Sequence, residues 1–577
     1  MFFKKFFLSF FLFLNLFAQE DLSYQTPPKE ILELIDVSLP PRVLVDESKS
    51  YMIYLYRDNY KTIEELSEKE MRLAGLRINP KKNIGSRVSY YNNIEISLIK
   101  NNKPQFLKVK GLPKNPRLSN IKWSPDQTMI AFTNTTSEGV ELWVLDLEKV
   151  KLKKLTPPKL NANLGNVINW FKDSKSLLVK FVPPKTEAIK MTEDLVPSGP
   201  RISTNDGAKA QNRTYQDLLK NKNDEKNFEI LALSELYKVS IKGSKRLWKK
   251  RDMYRNINFS PDGRFVLITT IKRPFSYLVP YYRFPSTYTI YGSTGKQVVV
   301  LADIPLIEDL PKGFMSVRKG ARSFSWRLDK PASIYFVSAL DGGDPQVESE
   351  FRDELFQIDA PFNRDPSSLL KTKNRYYKSL WCNDTLAIVS DYWWNNRNAK
   401  TYLFNPSNPQ DESMILSDRN YQDRYNDPGS FVKERNNFGE NILALRNNSL
   451  YLIGDGFTSK GQFPFLDKLD LSTMAKNRLY KSNINGKKES LRDFSPDENQ
   501  LFVRIESASE YPNYYFRELG ADLKQATFFL NPFKSLQNIH KELIKYKRED
   551  GLELSATLYL PENYDFNKKE KLPLIMW

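Results

Sequence analysis

One cysteine and one histidine in 577 residues leave this chain few ways to do chemistry alone. Cys382 has no partner for an internal disulfide. One Cys and one His cannot supply the four ligands of a structural zinc site. We therefore expect no metal and no cofactor, and read Cys382 as a small buried residue behind Trp381. Charge of one sign is not gathered into a tract: the net charge is +18, but Lys and Arg are interleaved with Asp and Glu. No zinc finger, RNA-binding sheet motif or basic helix accompanies them, so the excess reads as a solvated Lys-rich surface and not as nucleic-acid binding. A phosphate loop is missing too. Asp341-Gly-Gly-Asp-Pro lacks the spacing and the Lys-Ser/Thr, and Gly292-Ser-Thr-Gly-Lys fits a hairpin between Y-T-I-Y and Q-V-V-V-L.

Apolar runs long enough to cross a membrane are also absent. Residues 1–19 read M-F-F-K-K-F-F-L-S-F-F-L-F-L-N-L-F-A-Q, two lysines ahead of a short apolar run that ends at Ala18. Phe6 to Phe17 falls short of about 30 Å of hydrocarbon. We read residues 1–18 as a secretory signal peptide and expect a periplasmic or extracellular protein with no stable membrane insertion.

What is present is a repeat. Hydrophobic residues make up 40% of the chain and aromatics 13%, enough for more than one ordinary core. Asn258–Thr270 reads N-F-S-P-D-G-R-F-V-L-I-T-T: an apolar anchor, a tight turn set by Pro261, Asp262 and Gly263, then a β-branched run of strand length. The unit recurs with anchors at Trp123, Trp170, Phe259, Trp326, Trp381, a weaker one at Leu445, and Phe494. Asp46–Ser50 and Tyr51–Leu55 make a first copy. Several strands per period of tens of residues is the signature of a β-propeller. The spacing predicts a mainly β fold with seven or eight blades, and we favour seven, with the chain ends sharing a blade or the weak copy irregular.

Some stretches leave the repeat. Pro27–Asp36 predicts a short amphipathic turn or helix, and Ile63–Ala74 has helical spacing up to Gly75. Residues 183–230 are polar and read as an insertion or strap, briefly helical at Tyr215–Leu219. Arg273–Pro285 carries three prolines and five aromatics beside two arginines. It reads as a rigid strand extension, or as the lining of a cavity. Near Asn531 the pattern changes. Leu543–Lys547 and Leu552–Leu560 form a hairpin around Glu549-Asp-Gly, and Leu572–Trp577 reads as a continuous apolar strand of a sheet buried on both faces. We divide the chain into 1–18 signal peptide, 19–535 propeller, and 536–577 linker and start of a second, α/β domain whose remainder is not in this sequence.

Those tail residues resemble the entry to the hydrolase domain of prolyl-oligopeptidase-type serine peptidases, in the glutamyl endopeptidase branch. Pro27–Asp36, Met71–Pro80 (M-R-L-A-G-L-R-I-N-P), Arg213–Lys220 (R-T-Y-Q-D-L-L-K), Arg273–Pro285 and Gly342–Leu355 resemble it as well. The resemblance implies a secreted peptidase whose propeller restricts access to peptides, with a Ser nucleophile, a His base, an orienting Asp and a preference for cutting after glutamate. This sequence departs from that pattern: it has no Gly-x-Ser-x-Gly elbow, and its one histidine, His540, precedes the hydrolase strands. No catalytic residue can be placed, and the chain as given is expected to be inactive. Its partners would be peptide substrates and the absent hydrolase domain. An acidic substrate side chain needs a charge-assisted donor, and Arg273, Arg283 and Arg352 are the candidates. The competing reading is a secreted propeller that binds peptides or glycans without chemistry.

Overall fold

The computed structural model describes residues 25–100, 103–190, 214–568 and 571–577; the leader expected over 1–18 lies outside them. The chain forms two units, Leu39–Leu530 and a smaller one built from Asn531–Trp577 with the chain before Leu39.

The larger unit holds eight four-stranded antiparallel sheets in chain order, one with an extra short strand. Their first and last strands are Arg42–Val45 and Lys103–Leu107 (blade 1), Leu118–Trp123 and Lys151–Lys154 (blade 2), and Ile168–Trp170 and Lys245–Asp252 (blade 3). They continue with Tyr254–Phe259 and Gln297–Ile304 (blade 4), Arg322–Trp326 and Ser367–Thr372 (blade 5), and Arg375–Asn383 and Met414–Asn420 (blade 6). Ser430–Phe431 and Lys476–Lys481 bound blade 7, and Lys487–Ser495 and Leu523–Gln525 bound blade 8. The favoured count of seven is therefore too low. Both doubtful copies, the turn at Asp46–Ser50 and the weak anchor at Leu445, belong to complete blades. No blade is shared between the chain ends, because all of blade 1 comes from one end of the unit and all of blade 8 from the other.

The sequence repeat explains the packing. Every anchor lies within two residues of the end of a first-strand segment, and the run after its turn is the second strand, buried on both faces in several blades: Met129–Thr135, Ser176–Phe181 and Phe265–Ile271 have no exposed position. Fourth strands such as Met414–Asn420 and Lys476–Lys481 are mostly exposed and form the rim. Each sheet presses an apolar face on the next. Ile53 and Ile96 meet Ile130 and Phe132 between blades 1 and 2, and Leu142 meets Leu177 and Val179 between blades 2 and 3. Further seams join Leu236 to Tyr254 and Ile268, Leu267 and Ile290 to Trp326 and Ile334, and Val337 to Trp381 and Val389. Cys382 and Ile388 meet Leu443 and Leu450, and Leu466 meets Phe494 and Val503. An eighth seam sets Phe516 of blade 8 on Met52 and Tyr54 of blade 1. The cycle closes, so the unit is a ring around a central channel.

Two tryptophans repeat one contact. Trp170 Nε1 donates to the Lys122 carbonyl at 3.2 Å, and Trp326 Nε1 to the Asn258 carbonyl at 3.0 Å. In both cases the acceptor directly precedes the anchor of the blade before. Cys382 is buried as expected, and burial pushes its thiol up to about 12.

The departures from the repeat are built differently from expectation. Only Ile63–Ser67 is helical; Met71–Leu73 and Leu76–Asn79 are strands of a hairpin turned at Ala74 (φ 51°) and Gly75 (φ 86°). The buried-exposed-buried pattern of Met71, Arg72 and Leu73 has the period of a strand. The helix expected at Tyr215–Leu219 instead spans Lys222–Ala232, capped by the Asn221 side chain accepting from Asp224 N, with Phe228 and Leu231 buried. Arg273–Pro285 is not a strand extension but a loop ending in one 3₁₀ turn, Tyr281–Arg283. All three insertions join second to third strands, in blades 1, 3 and 4, and pack Leu73, Ile78, Phe228, Phe275 and Phe284 into one cluster of their own.

In the smaller unit a helix at Lys29–Ile35 has no buried residue. His540–Lys547 pairs with Glu553–Leu560 as the expected hairpin, so His540 opens a strand and does not lie in a linker. Residues 572–577 form no strand, contrary to the reading of an apolar run; Trp577 is 96% exposed, its ring centroid 5.9 Å from that of Tyr559. An apolar run becomes a strand only where a neighbouring strand takes up its backbone groups.

Truncating Phe516 to Ala should remove about 3–5 kcal/mol from the unfolding free energy measured in urea. A loss under about 1 kcal/mol would show that the eighth seam is not part of the cooperative ring.

Candidate functional site

The place where this fold can act on another molecule is the channel. First strands edge it, and each blade's four-strand meander puts every first-to-second-strand turn at one end of the ring. Turn-to-turn contacts trace that end. Glu47 N donates to Gln127 Oε1 at 2.8 Å, Asp126 N to Ser174 Oγ at 3.1 Å, and Asp262 N to the Pro331 carbonyl at 3.1 Å. Lys330 pairs with Asp384 at 3.1 Å, Arg446 with Asp497 at 2.6 Å, and Lys49 with Glu498. The three insertions lie at the other end.

Cations dominate the first strands. Lys122 gives its ammonium to Asn169 Oδ1 at 3.1 Å, and burial lowers its pKa. Lys378 is lowered by burial and by Lys433 on the neighbouring blade. Arg318, just ahead of the first strand of blade 5, is lowered by burial and by Arg322. Between blades 7 and 8 a cavity of about 540 Å³ is lined by Ser430, Lys433, Asn441, Asp455, Arg492 and Asp493, among others. Behind the wall Lys180 is fully buried, its Nζ donating to the carbonyls of Leu164 and Tyr254. Burial pushes it down to about 7, and Lys122 adds to the shift.

The three arginines expected at a substrate site fall in two places. Arg273 and Arg283 flank the insertion cluster. Arg273 pairs with Glu225 at 3.1 Å and Glu229 at 2.6 Å and lies over the Phe275 ring at 4.5 Å. Burial would raise the Glu225 carboxyl, but Lys222, Tyr277 and Arg273 hold it low. Arg283 is buried, its guanidinium 5.3 Å from the Tyr215 ring. Arg352 is in blade 5, bonded to Asp341 at 2.9 Å and over the Trp393 ring. Asp341 also accepts from Arg375 at 2.7 Å, and Arg375 reaches Asp353 at 3.1 Å. Burial would raise Asp341, but these two arginines hold it below the usual carboxylate range. Arg375 is the residue that sequence reasoning missed here. It opens a first strand, a position the turn-plus-strand repeat does not mark.

Among the described residues no three His, Cys, Asp or Glu side chains are grouped to hold a metal. The His540 side chain is 40% exposed, its Nε2 3.4 Å from Glu542 Oε2.

Over 587 aligned residues the chain is 34% identical to a probable chloroplastic glutamyl endopeptidase of Oryza sativa subsp. japonica, covering 96% of this chain and 62% of that protein. The chain is a homologue of the glutamyl endopeptidases. The corresponding Arabidopsis thaliana protein is 32% identical over 96% of this chain and 60% of its own length. The glutamyl endopeptidase homologue thus spans about 60% of the length of the curated relatives it matches. No family model matches it. Among solved structures, Porphyromonas gingivalis dipeptidyl peptidase 4 aligns at 10% identity and a TM-score of 0.45, covering 94% of this chain and 68% of that one.

The ion pairs rank themselves by burial. Arg375→Ala leaves the buried Asp341 and Asp353 carboxylates with one arginine each, Arg352 and Arg322, and should cost about 3 kcal/mol in chemical denaturation. Arg273→Ala, at a half-exposed pair, should cost about 1 kcal/mol or less. Equal costs would contradict this division.

Proposed function

We propose that the ring filters peptides for a serine-peptidase centre carried by further residues of a longer, exported protein. The observation that carries this reading is chain-long homology to glutamyl endopeptidases, running across every blade. Two features of the sequence agree with it: it has no Gly-x-Ser-x-Gly elbow, and its single histidine opens the strand His540–Lys547, beside Glu542 at 3.4 Å. The hairpin His540–Lys547 with Glu553–Leu560 would be the first strands of the hydrolase domain, and residues 572–577 a strand that pairs within it. Export rests on the leader at 1–18, whereas the relatives' names place them in chloroplasts.

Acidic peptides suit the channel electrostatically. Lys122, Lys378 and Arg318 hold their charge at a desolvation cost, which a carboxylate alongside would offset. Arg273, Arg283 and Arg352 are the candidates to meet a substrate glutamate, each exchanging contacts within the protein for it.

The protein translated from its complete reading frame should be labelled by a fluorophosphonate at one serine beyond Trp577. It should also cleave after glutamate faster than after glutamine. Absence of labelling would overturn the peptidase reading. An unchanged glutamate-over-glutamine ratio in Arg273→Ala, Arg283→Ala and Arg352→Ala would remove the arginines from it.

A further inference from the structure

Blade 7 breaks its own first strand. After Ser430–Phe431 the chain leaves the sheet as a hairpin, Lys433–Arg435 paired with Asn441–Leu443, before Leu445–Arg446 resumes pairing with the second strand. We propose that this hairpin is a plug that closes the channel at the turn end of the ring, so that peptide-sized solutes pass only through the opposite mouth.

The argument is where the tip goes. In a ring of eight, blade 3 lies diametrically across from blade 7. Lys172, in the turn of blade 3, donates to the Phe438 carbonyl at 2.9 Å and pairs with Glu440. Reaching that turn takes the tip across the whole channel. On the way it is tied to the turns of other blades: Arg435 donates to the Pro125 carbonyl of blade 2 at 3.1 Å and lies 3.5 Å from Glu47 of blade 1. Asn436 Nδ2 donates to the Leu328 carbonyl of blade 5 at 2.7 Å. The base is held as firmly. Leu443 packs with Cys382 of blade 6, and Arg446 joins Glu434 to Asp497 of blade 8, both at 2.6 Å.

The tip is shaped for this path. Asn436 Oδ1 accepts from the backbone N–H groups of Phe438 and Glu440. Gly439 has φ 71°, and a Cβ there would meet the Arg435 guanidinium at 2.6 Å. The cavities agree. The 540 Å³ cavity by the inner strands takes Lys433 and Asn441 from the hairpin base. A second cavity, of about 920 Å³ among the turns, takes Arg435, Asn436 and Gly439 from the tip. The two share no lining residue, so the hairpin lies between them.

This inference does not depend on the peptidase reading, because it concerns access and not cleavage. Asn258 is exposed on the first strand of blade 4, two residues before its turn, and makes a channel reporter near the plugged end. The test uses the 577-residue chain with Cys382→Ala and Asn258→Cys, treated with N-ethylmaleimide or with a maleimide on a long polyethylene glycol. Replacing residues 436–440 by Asn-Gly should accelerate the polymer reagent on the order of tenfold while leaving the small reagent about equal, tenfold being what roughly 1.4 kcal/mol of lost tethering yields. Should the shortened hairpin fail to fold, Lys172→Ala with Asn436→Ala cuts two of the tethers without shortening the chain and is expected to act in the same direction. Equal polymer rates with the hairpin intact and altered would overturn the proposal.

Discussion

Each four-stranded sheet of the larger unit has apolar side chains on both faces, and such a sheet needs a neighbour on each side. In an open stack the first and last sheets would leave one face to water. Here they meet each other. Phe516 and Ala526 cover Met52 and Tyr54, the Tyr54 hydroxyl is within 3.1 Å of Ser97 Oγ, and Lys49 pairs with Glu498 beside them. No strand crosses this seam, so side-chain contacts, and not strand pairing, hold the ring shut there. The channel, the two different ends and every contact across the mouth follow from that closure.

Much of this was legible in the sequence. Anchor, turn and strand mark each blade because a similar physical unit recurs: a large apolar side chain to fill the seam, a tight reversal, a largely buried strand. The blade count was misjudged where the turn chemistry was weak, at Asp46–Ser50 and at Asn447-Asn448, where two asparagines at positive φ do what Pro-Asp-Gly does elsewhere. The hairpin at Met71–Asn79 was hidden by an Ala-Gly reversal inside a run with helical spacing. The strand read at 572–577 shows the limit of an apolar pattern, which says what a segment would bury and not what it pairs with.

Less of the candidate site could be read in advance. Arginine is rightly the residue for a carboxylate, but the sequence does not say which carboxylate. Arg273 found Glu225 and Glu229 on the helix Lys222–Ala232, and Arg352 found Asp341 in its own blade. The channel cations and the blade 7 hairpin went unseen for the same reason: each gains its meaning from blades far away in sequence. Lys172 and Glu440 are 268 residues apart and meet only because the ring closes. One end of the ring is thus crossed by a hairpin pinned to turns, while the other carries three insertions that share a core.

Native-state amide hydrogen exchange tests the closed ring most directly. If all eight seams form one cooperative structure, the second strands Tyr51–Tyr56 of blade 1 and Gln500–Ser507 of blade 8 will exchange with the same opening free energy as Phe265–Ile271 of blade 4, set by global unfolding. Faster exchange in blades 1 and 8 together, with blade 4 still protected, would mean that the ring opens at that seam and would contradict the account.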